Sequence, residues 1–120
     1  MHHSTGKANA EQVERWRIAS ELGCVPCILD GRFGEPPDIQ HVVTGGRRVG
    51  HDATYACCPW HHRGITKNGL NERQMEAAFG PSLARSRRQY HARYGSEAEL
   101  LAAQNALVDK QESLLRGYEG

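Results

Sequence analysis

A small α+β fold is what the 120-residue sequence predicts: two short strands crossed by a brief helix, with longer helices on either side. Three observations carry that expectation. "IQHVV" and "TYACC" are short β-branched or aromatic runs separated by the glycine-rich "TGGRRVGHDA". Pro59 stands where the first turn of a helix tolerates proline, and Gly64 stands where that helix would stop. Two close pairs of metal-type ligands, Cys24-x-x-Cys27 and Cys58-x-x-His61, bracket the strands. The length suits one domain with a modest core, and a metal staple closing a loop of about thirty residues would help such a core.

Taken in order, Asn9 can cap a helix over residues 10–22, with Val13, Trp16 and Ala19 as its apolar edge and Gly23 as its stop. "GCVPCILDG" is a knuckle between turn formers, and "RFGEPPD" is a loop. In the strand over residues 39–43, alternation puts Ile39, His41 and Val43 on one side and Gln40 and Val42 on the other. The second strand runs into "PWHHRG" as a helix. Asn71 caps "ERQMEAAF", and Gly80 follows it. Pro81 is expected to open a helix through "PSLARSRRQYHARY", ended by Gly95. Ser96 and Glu99 make a capping box for a long last helix. There Leu100, Leu107 and Leu114 recur every seven residues, as do Leu101, Val108 and Leu115. The stripe suits either a helix packed on its own domain or a homodimer through the C-terminal helix. Gln104 and Gln111 in the seam favour the first.

Lys and Arg number 15 against 14 Asp and Glu, which excludes a generally basic nucleic-acid coat. The cations nevertheless cluster: Arg47 with Arg48, Arg63 with Lys67, and Arg85, Arg87, Arg88 and Arg93. Such runs suit one face toward phosphates, and charge alone fits ordinary solvated helices equally well. The four cysteines come with no visible signal peptide and no apolar run of membrane-spanning length. A cytoplasmic location with reduced thiols is therefore expected. "MHHSTG" is expected to be disordered, and His2 and His3 receive no role.

The stretch "ACCPWHHRG" holds more ligands than one ion needs. Cys24, Cys27, Cys58 and His61 make a complete structural zinc set. Cys57 neighbours Cys58 on a strand, so it points to the opposite face and reads as a small buried hydrophobe. His62 follows His61 about 100° further round a helix. If His61 faces zinc, His62 faces the strand that carries His41, as one ligand of a second site. His41 and His51, taken singly, would pass for a packed core histidine and a surface residue.

The order Cys-x-x-Cys, "IQHVV", "GGRRVGH", "CPWHHRG" resembles the HNH, or ββα-metal, nucleases, and most of all their phage-encoded Ref-like branch, named for a RecA-dependent nuclease. "FGPSLARSRRQYHARYGSEAELL" extends the resemblance over roughly residues 10–105. It implies a metal-dependent DNA endonuclease in which His41 is the general base and His62 binds the catalytic Mg²⁺ or Mn²⁺. Cys24, Cys27, Cys58 and His61 match the structural zinc ligands, and His51 falls near the motif's middle position. The residue before the strand base, commonly Asp or His and a metal ligand, is here Gln40, whose neutral amide is a weaker ligand. His51 could compensate. Where some members carry a further His, this sequence has Phe79.

Histidine suits the base because it titrates near the operating pH. One divalent ion can stabilise both the scissile phosphate and the leaving oxygen. Arg47, Arg48, Arg63, Lys67, Arg87 and Arg88 could hold flanking phosphates. The implied division is a disordered segment 1–9, a zinc-bound nuclease core 10–70 and helices 71–120 packed on it. DNA, and a recombinase filament, are the implied partners, inside a bacterial host of a phage or prophage. Gln40 favours a second reading, a catalytically weak zinc module that binds nucleic acid or protein. A zinc deaminase fits less well, since no His-x-Glu precedes a Pro-Cys-x-x-Cys.

Overall fold

The computed structural model describes residues 10–41, 43–44, 47–48 and 54–119, and at 39–41, 43–44, 47–48, 54, 118 and 119 it describes the backbone alone. Among these, α1 spans Ala10–Leu22, α2 Val25–Leu29, β1 Asp38–His41, β2 Val43–Thr44, β3 Arg47–Arg48 and β4 Thr54–Cys57. Then come α3 Pro59–Arg63, α4 Glu72–Phe79, α5 Arg87–Tyr94 and α6 Glu97–Glu119. The fold is α+β, as expected. Asn9 and His51 lie outside the described residues.

The long-range strand pair is β1 with β4, antiparallel, with Asp38 opposite Cys57, Gln40 opposite Tyr55 and His41 opposite Thr54. The expected first strand is shorter than residues 39–43. Val43 and Thr44 instead pair with Arg48 and Arg47 in a second small ladder. The supposed glycine-rich connection is thus partly a hairpin of its own, and Arg47 and Arg48 sit on its returning strand. The knuckle also differs from a plain turn. Residues 25–29 make a helical turn, started by Pro26 in a position that needs no amide proton.

The caps read at Asn71 and Ser96 are present. Asn71 and Gln74 exchange side-chain and backbone hydrogen bonds at 2.9 Å each. Ser96 and Glu99 do the same at the start of α6. The helix expected from Pro81 is shorter and starts at Arg87. Its leading segment is held elsewhere: the Leu83 amide donates to the His61 carbonyl at 2.8 Å, and the Arg85 guanidinium donates to the Gly64 carbonyl at 2.8 Å. Tertiary partners for residues 83 and 85 outweigh local helical propensity there.

The main core gathers Val25, Tyr55, Cys57, Leu83, Tyr90, Tyr94 and Leu100. Tyr55 and Tyr90 are fully buried, so their hydroxyls need partners, and they bond each other at 2.9 Å. A second cluster joins α1 to α6 through Ile18, Ala19 and Val108, with Trp16 packed against it. Arg15 of α1 reaches Asp109 and Glu112 of α6 alongside. Val13, expected on the apolar edge, is 58% exposed.

Gln104 settles how the first half of α6 is used. It is buried, and its Oε1 accepts a 2.7 Å hydrogen bond from the Ala56 amide. The side chain thereby satisfies a backbone donor of β4, and the helix packs on its own domain. Gln104→Leu would strand that amide. It is expected to lower stability by about 1–3 kcal/mol, read as a shifted urea midpoint at unchanged slope.

Candidate metal centre and the adjoining histidine

Cys58 ends β4 and opens α3 as its N-cap, its sulfur accepting from the His61 amide at 3.4 Å. The cap turns the chain sharply and returns His61 to the same sulfur. Gly64 closes the helix at φ 67°, a left-handed residue that glycine adopts without strain.

His61 Nδ1 lies 3.5 Å from Cys24 Sγ, 3.5 Å from Cys27 Sγ and 3.3 Å from Cys58 Sγ, and Cys27 and Cys58 are 4.0 Å apart. All four residues are buried, and their ligand atoms lie within 4.8 Å of one another. A tetrahedral zinc with ordinary bond lengths requires S···S of about 3.8 Å and S···N of about 3.6 Å. The cluster therefore can hold a zinc ion. The cysteines are unbridged.

The charge balance of the thiols points the same way. Burial pushes the Cys24 thiol well above its usual range, and its hydrogen bond with Cys24 pushes Cys27 up. Cys58, receiving hydrogen bonds from Cys24 and Cys27, is driven far down. Like charges this close disfavour ionising all three thiols at once. A divalent cation lets all three ionise.

The ring is oriented from behind. With Nδ1 toward the sulfurs, Nε2 carries the proton and donates to the Phe79 carbonyl at 2.8 Å. Tyr94 lies beside it, its hydroxyl donating to Asp30 at 2.8 Å, and Arg93 pairs with the other Asp30 oxygen. Gly80 sits at φ 87°, and a Cβ there would overlap the Tyr94 hydroxyl. The Phe79 ring lies between two cations, Arg32 at 5.1 Å and Lys67 at 4.8 Å. None of these supporting groups has a spacing signal in the sequence.

Cys57 stays out of the cluster. It is buried in the main core, 3.6 Å from the Tyr90 hydroxyl. His62 also turns away from the sulfurs, and its Nδ1 lies 3.6 Å from Asp38 Oδ2 at the start of β1. Arg63 Nε donates to the same oxygen at 2.8 Å. The structure thus separates His61 from His62 and sets His62 against β1.

The family described as recombination enhancement, RecA-dependent nuclease matches residues 8–109. The chain belongs to that family. The matched region of this RecA-dependent nuclease family member ends one residue past Val108, the last buried residue described in α6. No curated relative matches the chain.

The remaining expected residues are distributed as follows. His41 and Gln40 lie on β1, and Arg47 and Arg48 on β3, with backbone alone described; His51 is outside the described residues. Lys67 is half-buried and paired with Glu35 at 3.1 Å. Arg87 and Arg88 are exposed on α5, and Arg88 lines a shallow groove with Glu97 and Glu99. Sequence reasoning missed Asp38. Its one signal is a carboxylate opening the strand that carries His41.

Proposed function

We propose that this family member is a DNA endonuclease of the HNH, or ββα-metal, type, stapled by zinc at Cys24, Cys27, Cys58 and His61. The observation that carries the proposal is the split of the histidine pair. One helical turn sends His61 to a buried Cys₃His cluster and His62 to the strand of His41. A zinc module needs only the first. His62 binds a catalytic Mg²⁺ or Mn²⁺, which supplies charge stabilisation at the phosphate. His41 is the general base on water. His51 is the further residue able to orient the base or bind the metal, and Gln40 occupies a weak ligand position. Residues 10–70 form the nuclease core, and 71–120 pack on it.

Arg63, Arg87 and Arg88 hold flanking phosphates, with Arg47, Arg48 and Lys67 as further contacts. The protein works in the cytoplasm on DNA, and a recombinase filament is its partner, a reading supported by the RecA dependence in the family description. No helix among the described residues is long and apolar enough to cross a membrane. Leu114 and Leu115, 55% and 38% exposed beyond the matched region, are the surface a homodimer would use.

Nicking of supercoiled plasmid with Mg²⁺ or Mn²⁺, with and without a recombinase filament, is the direct test, His41→Ala being the control. Gln40 favours the second reading, a weak or inactive nucleic-acid-binding module, which metal-independent binding without nicking would establish. Under either reading Arg87→Ala with Arg88→Ala should weaken DNA binding for all sequences alike. The log–log salt slope should flatten by up to about 2. A salt-independent complex would exclude a phosphate-tracking face.

A further inference from the structure

If His62 binds the catalytic metal, one of its two ring nitrogens must do so, and the geometry selects which. Nδ1 exposes less than 1 Å² and has no hydrogen-bond partner. The side chain as a whole is 26% exposed, so its open edge lies away from Nδ1. A hydrated divalent ion cannot reach a nitrogen sealed in this way. Nδ1 faces a carboxylate instead, Asp38 Oδ2 at 3.6 Å, and Pro37, Asp38, His62 and Arg63 line an open cavity of about 500 Å³. Shortening that approach by about 0.7 Å gives a charge-assisted hydrogen bond of ordinary length.

We propose that Asp38 is a positioning residue for the catalytic metal: it accepts a hydrogen bond from Nδ1–H of His62 and so presents Nε2 to the divalent cation. The inference rests on the nuclease reading above and adds to it a residue two positions before Gln40. Metal-binding histidines commonly donate their second ring proton to a carboxylate, which fixes the tautomer and raises the basicity of the ligating nitrogen. Arg63 Nε donates to the same Oδ2 at 2.8 Å. The bland alternative is a surface ion pair between Asp38 and Arg63, worth about 0–1 kcal/mol. It predicts nothing about the imidazole.

The test uses full-length zinc-loaded protein with ¹⁵N-labelled histidine, at about pH 8 where an ordinary imidazole is neutral. Before any Mn²⁺ is added, imidazole ¹H–¹⁵N spectra should show His62 as the Nδ1–H tautomer. Asp38→Ala should return it to the Nε2–H form that neutral imidazole favours in water. Mn²⁺ titration followed by electron paramagnetic resonance should then show about 10–100-fold weaker binding in Asp38→Ala, substantially restored in Asp38→Glu, with zinc content unchanged. Arg63→Ala breaks the ion pair but keeps the carboxylate, so tautomer and Mn²⁺ affinity should persist. An Nε2–H tautomer in the parent overturns the proposal. So does unchanged Mn²⁺ affinity in Asp38→Ala when His62→Ala abolishes binding, an outcome that spares the nuclease reading. Unchanged Mn²⁺ affinity in His62→Ala sinks both.

Discussion

Cys24→Ser is expected to leave the protein without zinc and largely unfolded at moderate temperature. Cys24 is fully buried and its sulfur is one corner of the Cys₃His cluster. Zinc binding of this type is folding free energy, about 10–16 kcal/mol in small zinc modules, against a total stability of about 5–15 kcal/mol for an ordinary domain. The melting temperature should fall by more than about 10 °C. Zinc per chain, near one in the parent, should fall toward zero. Cys57→Ser is the matched control, because that thiol is equally buried but outside the cluster. It should keep its zinc and lose about 1–2 kcal/mol. Equal melting temperatures for the parent and Cys24→Ser would refute the zinc assignment.

The second large effect concerns activity at nearly constant stability. His62→Ala should keep zinc and fold yet reduce DNA cleavage by a hundredfold or more, to roughly the loss typical of a missing catalytic group. His61→Ala should instead release zinc, because its Nδ1 faces the sulfurs and its Nε2 is held by Phe79. His41→Ala should remain zinc-loaded and fail for want of a base, with partial recovery at high pH as hydroxide replaces it. Single-turnover cleavage beside metal analysis separates the three. If His62→Ala loses zinc and His61→Ala keeps it, the roles of the two histidines must be exchanged. If His62→Ala and His61→Ala both cut as well as the parent, the protein is not this kind of enzyme.

What the sequence made legible was local chemistry at short spacing. Two Cys/His pairs, a proline-opened helix, the Asn71 cap and the Ser96/Glu99 capping box each depend on residues close in sequence, and each is found where expected. The divergence of His61 and His62 followed from helical rotation alone. Contacts decided by distant packing were not legible. Gln104 looked like a flaw in an apolar stripe, yet it satisfies a strand amide 48 positions away. The start of α5 moved to Arg87 because Leu83 and Arg85 bond the end of α3. Asp38 carries no motif, and only the pairing of β1 with β4 sets it beside His62.

The Phe79 carbonyl has a consequence for how long the ion stays. Two donors from different elements converge on it, His61 Nε2 at 2.8 Å and Arg32 Nη2 at 3.5 Å, and the Tyr94 hydroxyl, bonded to Asp30, packs 3.1 Å away. The segment behind the zinc ligand is therefore clamped by α5 and by the loop after α2, and fraying of α3 by itself frees nothing. Release of His61 to a chelator is therefore expected to require these contacts to break along with α3, an opening larger than local fraying. Residence time of zinc then becomes a clock for that opening. During synthesis, the first two cysteines must stay without their full coordination shell until His61 is made, 34 residues beyond Cys27.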